Sequence, residues 1–94
     1  SMYKIEFAAR AKKSLHKYSR SGSFPKVKFK QALLCFRNGS RLPFSCKDHA
    51  LQGSLDGYRE FHLAQDLLVQ YERDELLKLV TISKIGTHTE LFGA

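Results

Sequence analysis

The feature that most restricts how this chain can fold is a switch in the spacing of its apolar residues, from two to about 3.6 and back to two. Between Tyr3 and Phe7, Tyr3, Ile5 and Phe7 alternate with Lys4 and Glu6, the period of a half-buried strand. From Ala8 the spacing becomes helical, with Ala8, Ala11, Leu15 and Tyr18 on one stripe and Arg10, Lys12, Lys13 and Lys17 on the rest. Ser19 to Ser23, with Gly22, ends that helix. A second helix is expected from Phe29, Leu33 and Phe36, with Ser23 as its N-cap, Pro25 in its first turn and Asn38-Gly39 as its stop. Strand spacing returns at Gly57 to His62, placing Tyr58, Glu60 and His62 on one face and Arg59 and Phe61 on the other. After a turn at Ala64 to Asp66, Leu67 to Glu72 and Leu76 to Ile85 read as two more strands joined by an Arg73-Asp74-Glu75 hairpin turn. The expected fold is therefore α+β, in the order β-α-α-β-β-β: a mostly antiparallel sheet with a helical hairpin packed on one face.

Ninety-four residues fit one domain, expected over 1–94, with room for a single modest core. Ser1 ahead of Met2 reads as a cloning remnant. Apolar residues make up 43% of the chain and aromatic residues 12%, which separates it from disordered sequences. No apolar run approaches the ~18 residues a membrane-spanning helix needs. Cys35 and Cys46 lack Cys-x-x-Cys spacing and are too few for a disulfide framework, so a reduced, cytoplasmic chain is expected.

Sixteen lysines and arginines against nine acidic residues give a formal charge of +7. A field of that size on a small surface favours polyanions, of which nucleic acid is the commonest, although an acidic protein partner satisfies the same charge. The chemistry-bearing residues gather between Lys47 and His62, which includes His49 and His62 among only four histidines. If the helices cover one face of the sheet, His49, His62 and His88 can meet on the other.

Imidazoles titrate near neutrality, so a pair of them can serve as base and acid in one turnover. In a basic cleft that is the equipment for cutting RNA without a metal. One group takes the proton of the 2′-hydroxyl as it attacks phosphorus, cations stabilise the added charge, and the other group protonates the leaving 5′-oxygen. Glu60 shares a strand face with His62 and can orient or charge an imidazole. The competing use of His49, His62, His88, Asp48 and Asp66 is metal binding; no His-x-x-x-His or Cys-x-x-Cys pair is present, and the surrounding positive charge opposes it. The bland reading makes each histidine a hydrogen-bonded surface residue, as expected for His16 among its lysines. Tyr58 and Phe92 serve equally as packing groups or as platforms for a base.

The segments Lys47-Asp48-His49-Ala50-Leu51-Gln52-Gly53, Gly57-Tyr58-Arg59-Glu60-Phe61-His62, Asp66 and Gly86-Thr87-His88-Thr89-Glu90-Leu91-Phe92-Gly93 together resemble the YafQ branch of the RelE/ParE toxin superfamily. The match is close over 47–93 and one of pattern over the N-terminal half. The resemblance implies a toxin of a type II toxin-antitoxin module. Such a toxin is an endoribonuclease that cuts messenger RNA in the ribosomal A site without a metal or other cofactor, and its cognate antitoxin holds it inactive in a hetero-oligomer. It also implies that His49, His62, Asp66, His88 and Phe92 are tied to activity. His88 and His62 would transfer protons, His49 and Asp66 would position substrate or tune charge, Phe92 would lie near the substrate base, and Lys47 and Arg59 would serve phosphate or fold. Two positions depart from the relatives: Glu60 stands where aspartate is frequent, and Leu67 where a tryptophan can follow the turn aspartate. The alternatives are a ParE-like toxin that poisons DNA gyrase without cutting nucleic acid, and a plain basic RNA-binding or antitoxin-binding module. Neither needs proton-transfer groups.

Overall fold

The structure is a computed structural model and describes residues 2–93; Ser1 and Ala94, the two ends of the expected domain, lie outside the described residues. Its strands are β1 (Lys4–Phe7), β2 (His49–Ala50), β3 (Arg59–Ala64), β4 (Leu67–Asp74) and β5 (Leu79–Gly86), and its helices α1 (Ala9–Ser19), α2 (Lys26–Asn38) and α3 (His88–Phe92). The strands form one sheet in the order β1-β5-β4-β3-β2. Neighbours are antiparallel except β1, which runs parallel to β5 with Lys4 opposite Leu79 and Phe7 opposite Ile82. This is the α+β sheet and helical hairpin that the change of period predicts.

The core lies between the hairpin and one face of the sheet. Phe29, Ala32 and Phe36 of α2 and Ala11 of α1 are buried with Phe61, Val69, Tyr71, Val80 and Ile82 of the strands. Phe36 anchors it, with ring centroids 4.6 Å from Tyr71 and 5.7 Å from Phe61. Removing a buried ring of this kind typically costs about 3–5 kcal/mol, because both apolar contact and filled volume are lost. Since Phe61 faces the helices, the alternation of β3 turns Glu60 and His62 to the opposite face. A bulge at Leu63, the extra residue between the pairs His62–Leu68 and Ala64–Leu67, kinks the strand beside His62.

Several boundaries differ from those expected. Helix α2 begins at Lys26 with Pro25 at its boundary, and the Ser23 hydroxyl is engaged with Ser21 at 2.9 Å rather than capping. The stop at Gly39 holds, in a left-handed turn with φ 71°. Strand β4 continues to Asp74, so the hairpin turn is Glu75 to Lys78 rather than Arg73 to Glu75. The Asp74 carboxylate accepts the Leu77 N–H at 2.9 Å and Lys78 takes φ 52°, which closes the turn. Leu76 and Leu77 are thereby exposed, contrary to the strand reading. The expected loop from Ser40 to Lys47 holds a 3-10 turn at Phe44–Cys46, and β2 and α3 were not anticipated as elements. Among the described residues no helix is long and apolar enough to cross a membrane.

Candidate active site

Four rings stand in a row on the face away from the helical hairpin. The centroids of His49 and His62 are 6.2 Å apart, those of His62 and His88 6.2 Å, and those of His88 and Phe92 6.4 Å. Each ring arrives on a different piece of local structure. His49 is on β2, paired across the ladder with Glu60; His62 is on β3 next to the bulge; His88 and Phe92 are the first and last residues of α3. Helix α3 starts with a Thr87-x-x-Glu90 capping box: Thr87 accepts the Glu90 N–H at 3.2 Å, and Glu90 accepts the Thr87 N–H at 2.8 Å.

Asp66, in the turn between β3 and β4, defines the state of His88. Its Oδ1 accepts the His88 backbone N–H at 3.0 Å and contacts ring Nδ1 at 2.7 Å. A carboxylate can only accept there, so Nδ1 carries the hydrogen and Nε2 is left for substrate. The backbone hydrogen bond, and then the ring hydrogen bond, hold the Asp66 carboxyl below its ordinary value, keeping it ionised beside the imidazole. His88 and Asp66 are both solvent-exposed, so a polymer can reach them.

His49 is tied at both nitrogens. Its Nδ1 donates to the Lys47 carbonyl at 2.8 Å, and its Nε2 lies 3.2 Å from Glu60 Oε2. The Glu60 side chain is only 5% exposed and its Oε1 has no hydrogen-bond partner among the described residues. The carboxylate expected to serve His62 along its own strand thus pairs with His49 across the ladder. His62, by contrast, makes no side-chain hydrogen bond among the described residues, which leaves its ring free.

Lys47 and Arg59 do not join the row. Arg59 projects to the other face, where Nε is 3.3 Å from Asp48 Oδ1 and 3.2 Å from the Tyr71 hydroxyl. Tyr71 also donates to Asp48 at 2.6 Å. This partly buried network pins the residue before His49, and with Lys47 it borders a cavity of about 770 Å³ behind the loop. Lys47 turns the chain in a left-handed conformation, φ 49°. Arg59 is thus held by Asp48 and Tyr71 and is not brought to the histidines. Tyr58 lies outside β3, and His16 is exposed.

The donor set His49, Glu60 and His62, whose ligating atoms lie within 4.8 Å of one another, also has the composition and spacing of a transition-metal site. Sequence reasoning set metal aside because it looked for paired motifs along the chain, whereas these ligands converge across a β-ladder. It also missed what holds α3, although Thr87-x-x-Glu90 is a visible capping signal.

An α+β sheet with one helix-covered face and a histidine row on the other is the arrangement that the resemblance to the small toxins of the RelE/ParE scaffold leads one to expect. The family model described as "Bacterial toxin of type II toxin-antitoxin system, YafQ" matches residues 3–93. The chain belongs to this family. It is 41% identical over 68 residues to the mRNA interferase toxin YafQ of Escherichia coli strain K12, covering 72% of this chain and 71% of that protein. Its fold is similar to that of a metal-bound toxin from Helicobacter pylori, with TM-score 0.85 and 31% identity over 97% of this chain and 100% of that one. It is also similar to the toxin in the E. coli DinJ-YafQ toxin-antitoxin complex, with TM-score 0.77 and 31% identity over 99% and 100%.

Proposed function

We propose that this toxin is an endoribonuclease, an mRNA interferase, that cuts messenger RNA on the ribosome in the cytoplasm and is held inactive by a cognate antitoxin. The observation that carries the mechanism is the 6.2 Å approach of His62 to His88, with Asp66 holding the His88 ring. Asp66 leaves Nε2 of His88 open and stabilises the charged ring once a proton arrives, while the unbound ring of His62 supplies the complementary acid or base. The 2′-hydroxyl attacks the adjacent phosphorus and the 5′-oxygen leaves with a proton from the second imidazole; no metal ion takes part. Phe92, half exposed beside His88, offers a face for the substrate base. His49 and Glu60 act as a closely held pair next to His62. The net charge of +7 supplies the attraction to RNA and to an acidic antitoxin. The DinJ-YafQ complex supports the antitoxin partner.

The test is primer extension on messenger RNA from translating extracts, comparing wild type with His62→Ala and His88→Ala. Ribosome-dependent cuts should appear with the wild type and fall about 100-fold or more in each variant, the range for a lost acid–base group. Growth arrest with intact transcripts would point to the gyrase-poisoning alternative. A toxin of similar fold is metal-bound, and His49, Glu60 and His62 offer donor atoms within 4.8 Å of one another: an ion there would occupy the His62 ring. In the acid–base mechanism chelator leaves cleavage unchanged and added zinc inhibits it. Loss of cleavage on chelation, restored by metal, would overturn the metal-free mechanism.

A further inference from the structure

Glu90 sits between His88 and Phe92 in the sequence of α3 and has no ionic or hydrogen-bonded contact with either. Its carboxylate folds back over the start of the helix, where Oε1 accepts the Thr87 N–H and also the hydroxyl of Tyr18, 72 residues away on α1. Oε2 lies 3.4 Å from Lys17 Nζ on the same helix. Room for this comes from Gly86: a Cβ there would stand 2.8 Å from Glu90 Oε1 and 3.1 Å from Glu90 Cβ.

A five-residue helix cannot stabilise itself, because nucleating helix costs more than so few hydrogen bonds return. The placement of α3 therefore depends on its ties. Leu91 is buried beneath it, Asp66 holds its first residue, and Glu90 holds it to α1. Two of the four aligned rings ride on this helix, so a small rotation of α3 changes both the His62–His88 gap and the place of Phe92.

We propose that Glu90 is a positioning residue for RNA cleavage: by accepting the Tyr18 hydroxyl, its carboxylate fixes α3 against α1 and sets His88 and Phe92 in line with His62. The proposal rests on the acid–base reading of the histidine row. Desolvation, then the Glu90 contact, push the Tyr18 hydroxyl up to about 12, so it stays a donor at neutral pH. The Tyr18 hydrogen bond, and then that of Thr87, draw Glu90 down to about 2, so it stays an acceptor.

The experiment compares full-length wild type, Glu90→Ala, Glu90→Gln and Tyr18→Phe by cleavage kinetics on programmed ribosomes and by ring ¹⁵N NMR of the histidines. Glu90→Ala and Tyr18→Phe should lower kcat about 10-fold or more with KM within about 2-fold, since displacements near 1 Å at a reacting group reach 100-fold. Glutamine keeps an oxygen for both donors and should restore most of the rate. The His88 shifts should leave the Nδ1-protonated pattern in Glu90→Ala and Tyr18→Phe and keep it in Glu90→Gln, with those of His49 unmoved. Unchanged His88 shifts in both disruptive variants would overturn the proposal, as would a rate loss that merely follows a fall in melting temperature. If the wild type cuts no RNA, the catalytic reading fails separately, and the His88 shifts still decide whether Glu90 places the ring.

Discussion

One oxygen of Asp66 accepts both the backbone N–H of His88, at 3.0 Å, and its ring Nδ1, at 2.7 Å. A single side chain therefore fixes where α3 begins and which nitrogen of its histidine faces solvent. Asp66→Ala removes both effects and should lower kcat about 100-fold, the loss expected when a reacting group is misplaced. Because Asp66 is exposed, the melting temperature should stay within a few degrees of wild type, about the reach of surface substitutions. Asp66→Asn retains an acceptor without the charge and should fall between the two. Stopped-time cleavage assays with melting curves check the ordering, and an Asp66→Ala variant as fast as wild type would remove Asp66 from the mechanism.

Behind the site, the Tyr71 hydroxyl donates to Asp48 from a nearly buried position, and burial followed by Asp48 pushes that hydroxyl well above its ordinary value. Tyr71→Phe leaves the Asp48 carboxylate with only the longer Arg59 contact. Denaturant titration should show a loss of about 1–2 kcal/mol, the cost of an unmade hydrogen bond at a partly buried group. Activity should fall less than in Asp66→Ala, since His49 keeps its Lys47 and Glu60 contacts. Stability equal to wild type would show that the network does not hold this loop.

Acid should release α3 before it unfolds the sheet. Glu90 is drawn from its ordinary value of 4.5 to about 2, and Asp66 is also lowered, so both bind protons more readily unfolded than folded. Their contribution is fully present above about pH 4.5 and is lost as pH falls toward 2. Melting temperature should drop over that window in the wild type and drop less in Glu90→Gln, which has no proton to gain there. Parallel curves for the two proteins would contradict the sign or the assignment.

Much of this architecture is local, and local patterns are legible. Ile5 and Phe7 alternate with Lys4 and Glu6 because they are half-buried on an edge strand, behind the buried Tyr3, and Ala11, Phe29 and Phe36 recur at helical spacing because they face the same sheet. Turn chemistry was less readable. Leu76 and Leu77 look like strand residues, yet Asp74 and the left-handed Lys78 place them in the hairpin turn, where composition is a poor guide to register. Likewise β2 and α3, at two and five residues, are too short to show a period. Both bear side chains of the proposed site, and what defines them is their contacts.

The sequence by itself determined the order of the two long helices and of β1, β3, β4 and β5, the basic surface, and which residue types can move protons, because periodicity, charge and side-chain chemistry are properties of the chain. Only the tertiary structure decided who serves whom: Glu60 with His49 rather than His62, Asp66 with His88, Arg59 turned away behind the loop, and Glu90 reaching across to Tyr18. Those pairings join residues up to 72 positions apart, or neighbours across a β-ladder, so they exist only once the sheet has set the register and face of each strand.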